Sequence, residues 1–216
     1  MDDLIAGYRR FRAGFYEQNR EMLERLAVRG QRPSTMIIGC SDARVDPAIN
    51  FDTAPGDVFM VRNVANVVPP YAPDDDQHGT SAALEFAVKG LEIPNIVILG
   101  HAKCGGIGAL VDAEPGAERK TDFLDLWMAV ARPARRAAFA KAEAVNMAHD
   151  REHVCRLCER ENVRVGLANL RTFPWIAERE KAGRLALHGW YFDITKGELY
   201  RLNALDEFEL VPPRGE

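Results

Sequence analysis

Cysteine is scarce in this chain, with four residues among 216. That is too few for the disulfide framework of a small secreted domain, and the four are expected as reduced thiols in a cytoplasmic protein. Long apolar runs are missing as well. No stretch reaches the roughly 20 residues needed to span a bilayer. The opening residues, MDDLIAGYRRFRAGFYEQ, lack the basic-then-apolar order of a signal peptide. Dense basic runs are also absent. The 28 basic and 32 acidic side chains leave a net charge of −4, which argues against nucleic acid as a partner. The glycine-containing segments match neither a P-loop nor a dinucleotide fingerprint.

What remains is an ordinary globular composition, 47% hydrophobic and 28% charged. Length and the lack of linkers or repeats give one domain over 1–216, with residues 1–30 as an N-terminal helical arm. Within 2–29, Leu4, Tyr8, Phe11 and Phe15 form a stripe at helical spacing, and Arg-Gly-Gln-Arg-Pro at 29–33 ends it. Short apolar strands are expected at STMIIGC, at GDVFMVRN (56–63) and at NIVILG (95–100). A helix is expected over 79–92, with Thr80 or Ser81 near its cap. Residues 117–150 are Ala-rich and charge-rich, helical after Pro133, and REHVCRLCERENVRVGLANLRTFP continues as helix until Pro174. RLALHGWYFDI, TKG and ELYRLN read as a terminal strand, turn and strand. Alternation of strands with helices gives an α/β fold: a mainly parallel central β-sheet flanked by helices, plus the N-terminal arm. Helical mass at both ends suggests packing on a partner.

Two strands end alike. MIIGC and VILGH each run apolar, then glycine, then a soft metal ligand, then polar loop. In an open parallel sheet, functional loops gather at the carboxyl ends of strands where strand order reverses. Cys40 can therefore meet His101 and Cys104 despite their distance in sequence. Two thiolates and an imidazole suit zinc, and three protein ligands leave a fourth position for water. Asp42 and Arg44 stand beside Cys40. The arginine can hold the carboxylate bidentately and ionised. Asp42 is then either an acceptor for metal-bound water or, once released, a fourth ligand in a closed state.

The combination CSDARVDP and GHAKCGG, with PGDVFMVRNVANVVPP and GTSAALEFAV between them, resembles the signature sequence of the β-class carbonic anhydrases. The likeness is strong over about 34–110 and looser through LANLRTFPW and HGWYFD. It implies a zinc enzyme for the reversible hydration of CO2 to bicarbonate and a proton by zinc-bound hydroxide. The implied ligands are Cys40, His101 and Cys104, with one zinc per chain and an Asp42–Arg44 catalytic dyad. Val45, Phe86 and Gly105 are implied to line the CO2 pocket. A homodimer or a dimer-based higher oligomer follows, with the N-terminal helix reaching over the partner and neither nucleic acid nor membrane involved. Because two thiolates cancel the charge of zinc, activity is expected to climb from neutral into alkaline pH. Alternatives on the same scaffold are hydrolysis of CS2 or COS, or a non-catalytic zinc-binding regulatory role.

Departures from the family pattern also carry expectations. Ile37 and Phe192 replace the Trp and Tyr of a bicarbonate pocket found in some members, leaving only Arg62, so the site should stay open near neutral pH. Ala54 and Phe86 stand where plant-like members carry Gln and Tyr. His149, His153, Cys155 and Cys158 do not meet metal spacing and read as helix packing. His78 and His188 remain unassigned as proton shuttles.

Overall fold

The computed structural model describes residues 1–114 and 121–213, so residues 117–120 of the charge-rich stretch lie outside the description. The chain opens with three helical pieces, α1 (Asp2–Ala13), α2 (Phe15–Gln18) and α3 (Arg20–Arg29). The expected continuous helix is thus broken twice. Gly14 leaves helical geometry at φ −110° and ψ −89°, and Asn19 turns its side chain back to the Phe15 carbonyl. The aromatic stripe survives, but Leu4, Tyr8, Phe11 and Phe15 are 72, 62, 43 and 40% exposed.

Among the described residues six strands form one sheet: β1 (Thr35–Cys40), β2 (Val58–Asn63), β3 (Asn95–His101), β4 (Ala186–Asp193), β5 (Glu198–Leu202) and β6 (Phe208–Leu210). Their order is β2-β1-β3-β4-β5-β6. The first four are mutually parallel, and β5 and β6 are added antiparallel. β6 is an element the sequence pattern did not reveal. Strand order reverses between β1 and β3, which pair directly from Thr35–Asn95 to Gly39–Leu99. The carboxyl ends of these two neighbours therefore lie side by side.

Between the strands come α4 (Pro47–Asn50), α5 (Gly79–Glu85), α6 (Gly105–Asp112), α7 (Leu124–Ala129), α8 (Arg132–Ala144), α9 (Arg151–Leu170) and α10 (Pro174–Lys181). Thr80 lies in the first turn of α5, near the cap as expected. His78 occupies the cap position without a side-chain capping bond, and the buried Thr80 hydroxyl accepts Asn63 Nδ2 at 3.2 Å. Pro174 does end the preceding run, but it also begins α10, where a first-turn proline gives up no hydrogen bond.

Helix α9 is pressed against the sheet. A Cβ on Gly100 would stand 2.7 Å from Val163, and one on Gly166 would stand 2.7 Å from Ile98, so glycine at both contacts permits the close approach. One sheet face buries Met36, Ile38, Ile96 and Ile98 against Leu84, Val163, Leu167 and Leu170. The opposite face gathers Ile37, Val45, Val97 and Leu99. A third cluster surrounds Cys40 and Cys104 with residues of α6, α8 and α9. Cys155 and Cys158 belong to it, packed as helix-face residues among Ala134, Ala138 and Ala142. None of the helices in the described residues is long and apolar enough to cross a membrane.

Candidate metal centre

Cys40 closes β1, His101 closes β3, and Cys104 caps α6 one turn later. All three are at most 6% exposed. Their ligand atoms lie within 4.8 Å of one another, and no other such group of three occurs among the described residues. His101 Nδ1 meets the Ala102 carbonyl oxygen at 2.8 Å, which directs Nε2 toward the sulfurs. Nε2 is buried without a hydrogen-bond partner. A buried polar nitrogen left this way is costly unless something binds it. Two thiols and an imidazole with their ligand atoms this close together are a donor set that fits zinc.

The charges agree. Hydrogen bonding from Cys104, contact with the His101 ring and the Asp42 amide bring the Cys40 thiol down to about 4, against the opposing effect of burial. Cys104 shifts upward because it faces the Cys40 sulfur and is buried. Burial works against a charged His101 ring, yet the neighbouring Cys40 sulfur outweighs it and raises the imidazole. The surroundings of the cluster thus favour the charged form of the Cys40 sulfur.

Asp42 and Arg44 form the bidentate pair the sequence suggested. Arg44 Nε donates to Oδ1 at 2.9 Å, Nη2 donates to Oδ2 at 2.7 Å, and the Arg44 amide adds a bond to Oδ1 at 2.9 Å. These bonds, led by the guanidinium, hold the Asp42 carboxyl far below the usual carboxylate range. The Asp42 carboxylate is held by Arg44 and is not part of the converging ligand set.

The remaining candidates fall in different places. Val45 is 1% exposed in the cluster with Ile37, Val97 and Leu99. Gly105 begins α6, and a Cβ there would meet nothing within 4 Å. Phe86 is 53% exposed and packs on Phe59, ring centroids 5.8 Å apart. Phe59 pairs with Met36, well down the strand from Cys40, so the chain's own fold does not bring Phe86 to its own metal ligands. Arg62 spends four of its five N–H donors within the chain, on the carbonyls of Cys40, Asp42 and Val45 and on Asp46. It fixes the loop after β1, and with Nε and both Nη2 hydrogens used it has no parallel pair of N–H groups left for an anion.

Several supporting residues escaped the sequence reading. Asn162 and Asn169 on α9 donate to the carbonyls of Ala65 and Val68, holding the segment that follows β2. Ala65 sits there at φ 63°, fully buried, and its backbone faces the Cys40 sulfur. Glu159, 3% exposed, accepts the Cys104 amide at 3.1 Å and the Tyr191 hydroxyl at 2.8 Å. The available signal was spacing: positions 155, 158, 159, 162, 163 and 166 of the helix are all buried, and the acid and amide among them share its inner face.

Residues 35–199 match the model of the carbonic anhydrase family. The chain belongs to the β-class carbonic anhydrases. It is 38% identical over 195 residues to β-carbonic anhydrase 5, chloroplastic, of Arabidopsis thaliana, covering 90% of this chain and 62% of that protein. It is 35% identical to β-carbonic anhydrase 3 of the same plant, covering 91% and 74%. Its fold superposes on the structure of the β-carbonic anhydrase CcaA with a TM-score of 0.89 at 32% identity, covering 99% of this β-carbonic anhydrase chain and 93% of the other. The chain therefore spans just under two thirds of the length of the first of these relatives.

Proposed function

We propose that this β-carbonic anhydrase chain catalyses the reversible hydration of CO2 to bicarbonate and a proton, using one zinc ion held by Cys40, His101 and Cys104. The observation that carries this reading is the convergence of three buried ligands with an ionised carboxylate beside them that is itself held by an arginine. Zinc, when bound, supplies a Lewis acid that lowers the pKa of water at its open position.

The chain's own residues do the rest. Asp42 is too weak a base to take a proton near neutral pH, because Arg44 stabilises its charged form. Its role is orientation. Oδ2 keeps acceptor capacity beyond the single Arg44 bond, so it can hold one hydrogen of the attacking water and fix the direction of the lone pair. Val45 offers an apolar wall, and the open space at Gly105 leaves room for a small linear substrate. Phe86 can contribute only across an interface, to the site of a second copy. The exposed arm residues Leu4, Tyr8, Phe11 and Phe15 support a homodimer as the working unit. A reducing compartment such as the cytoplasm suits four unpaired thiols, two of them metal ligands.

The test is stopped-flow CO2 hydration on protein whose zinc content has been measured. Hydration that disappears on chelation and returns with zinc supports the reading. Full zinc occupancy without hydration overturns it.

A further inference from the structure

The Lys103–Cys104 peptide is gripped from both sides. Its carbonyl oxygen accepts Arg44 Nη2 at 2.8 Å, and its N–H donates to Glu159 Oε1 at 3.1 Å. Lys103 holds φ 57°, a left-handed conformation that a residue with a side chain adopts only when its surroundings impose it. Glu159 is in turn fixed. Its second oxygen accepts the Tyr191 hydroxyl at 2.8 Å, and Tyr191 is 1% exposed. The Arg160 guanidinium lies 4.9 Å from the Tyr191 ring centre and 5.2 Å from that of Tyr200, closing the cluster on the side of β5. A buried glutamate in a helix facing the sheet is expensive, and helix packing alone would be served better by an apolar side chain.

We propose that Glu159, held by Tyr191, is a positioning residue of the metal centre: it locks one peptide plane, so that the Cys104 sulfur faces the metal and Arg44 finds the carbonyl that sets the Asp42–Arg44 dyad. The chain of contacts runs from Tyr191 to Glu159, through the Lys103–Cys104 peptide, to Arg44 and Asp42. It joins the metal ligand on α6 to the dyad on the β1 loop through a single group. This inference rests on the zinc reading above, and the two are separable by experiment.

Wild type, E159A, E159Q and Y191F are compared in zinc affinity, by competition with a chromophoric chelator, and in the visible spectrum of the cobalt-substituted protein. Wild type is expected to bind one zinc. E159A should bind zinc about 10- to 100-fold more weakly, the usual loss on removing a group that orients a ligand. Its thiolate-to-cobalt band should change as the Cys104 sulfur loses its fixed direction. In E159Q the amide oxygen still accepts the Cys104 N–H and the Tyr191 hydroxyl can turn to accept from the amide nitrogen. That variant should therefore keep the cobalt spectrum and lose only a few-fold, roughly, in affinity. Y191F should fall between them. If wild type binds zinc while all three variants match its affinity within twofold and its cobalt spectrum, the positioning role is wrong, even where E159A melts lower. If wild type itself binds no zinc, the metal reading fails and this inference with it.

Discussion

At the scale of single residues, roles divide between holding metal and orienting reactants, and mutation should separate them. Cys40→Ser removes a thiolate and should abolish stoichiometric zinc, as read by elemental analysis. Asp42→Asn should retain zinc while CO2 hydration falls by about 100-fold or more, since an amide cannot receive two Arg44 bonds and still present an acceptor. Equal zinc and equal rates in the two variants would contradict both roles. Asp42 also carries a pH signature. Its folded pKa is depressed, so the stability it contributes is present above the ordinary carboxylate pKa and is lost as pH falls through the folded value. Thermal melts of wild type and Asp42→Asn should therefore differ at neutral pH, begin to converge below about pH 4 and coincide only as pH nears the depressed folded value. The ligands were legible because the same order, apolar strand, glycine, ligand, occurs twice in the sequence. Glu159 was not, because one acid in the charge-rich run CERENVR looks like any solvated helix residue until the neighbouring sheet is in place.

At the scale of elements, the metal centre depends on how closely α9 lies on β3 and β4. Gly100 sits one residue before His101, directly beneath the helix. Gly100→Ala would force its methyl against Val163 and the Glu159 carbonyl, and we expect a loss of about 1–3 kcal/mol in urea unfolding. Because the displaced helix carries Glu159, zinc should also be released faster to a chelator. An unchanged midpoint would show that the helix yields freely. Strands and long helices were readable from apolar runs and periodicity. The misreadings fall where one residue has two uses. Gly14 can be tolerated in a helix or can break it, and Pro174 both stops α9 and starts α10. Thr80 lies near the start of α5 as expected, but its hydroxyl is used on Asn63 and caps nothing. Three-residue β6 lacks enough length to show alternation.

At the scale of the whole molecule, the folded chain leaves an unusual amount of apolar surface on its N-terminal arm. Leu4 and Tyr8, one helical turn apart, are the most exposed of the stripe. We expect the wild type to sediment as a dimer or a multiple of it, and the double variant Leu4→Glu with Tyr8→Glu to sediment as a monomer. A monomeric wild type would remove the interface and with it any contribution of Phe86 to a neighbouring site. The periodicity of the arm was visible in the sequence; what it covers was not, because a helical stripe that packs on its own sheet and one that packs on another copy have the same spacing.

The metal's ligands come from the ends of two strands and the turn after the second, which meet only when β1 pairs with β3, residue for residue, from Thr35–Asn95 to Gly39–Leu99. A slip of one position would turn Cys40 to the opposite side of the sheet from its present neighbours. Neither strand end can complete the ligand set alone. Zinc capture during refolding thus becomes a clock for long-range strand pairing, and uptake should begin only after the central sheet has closed in register.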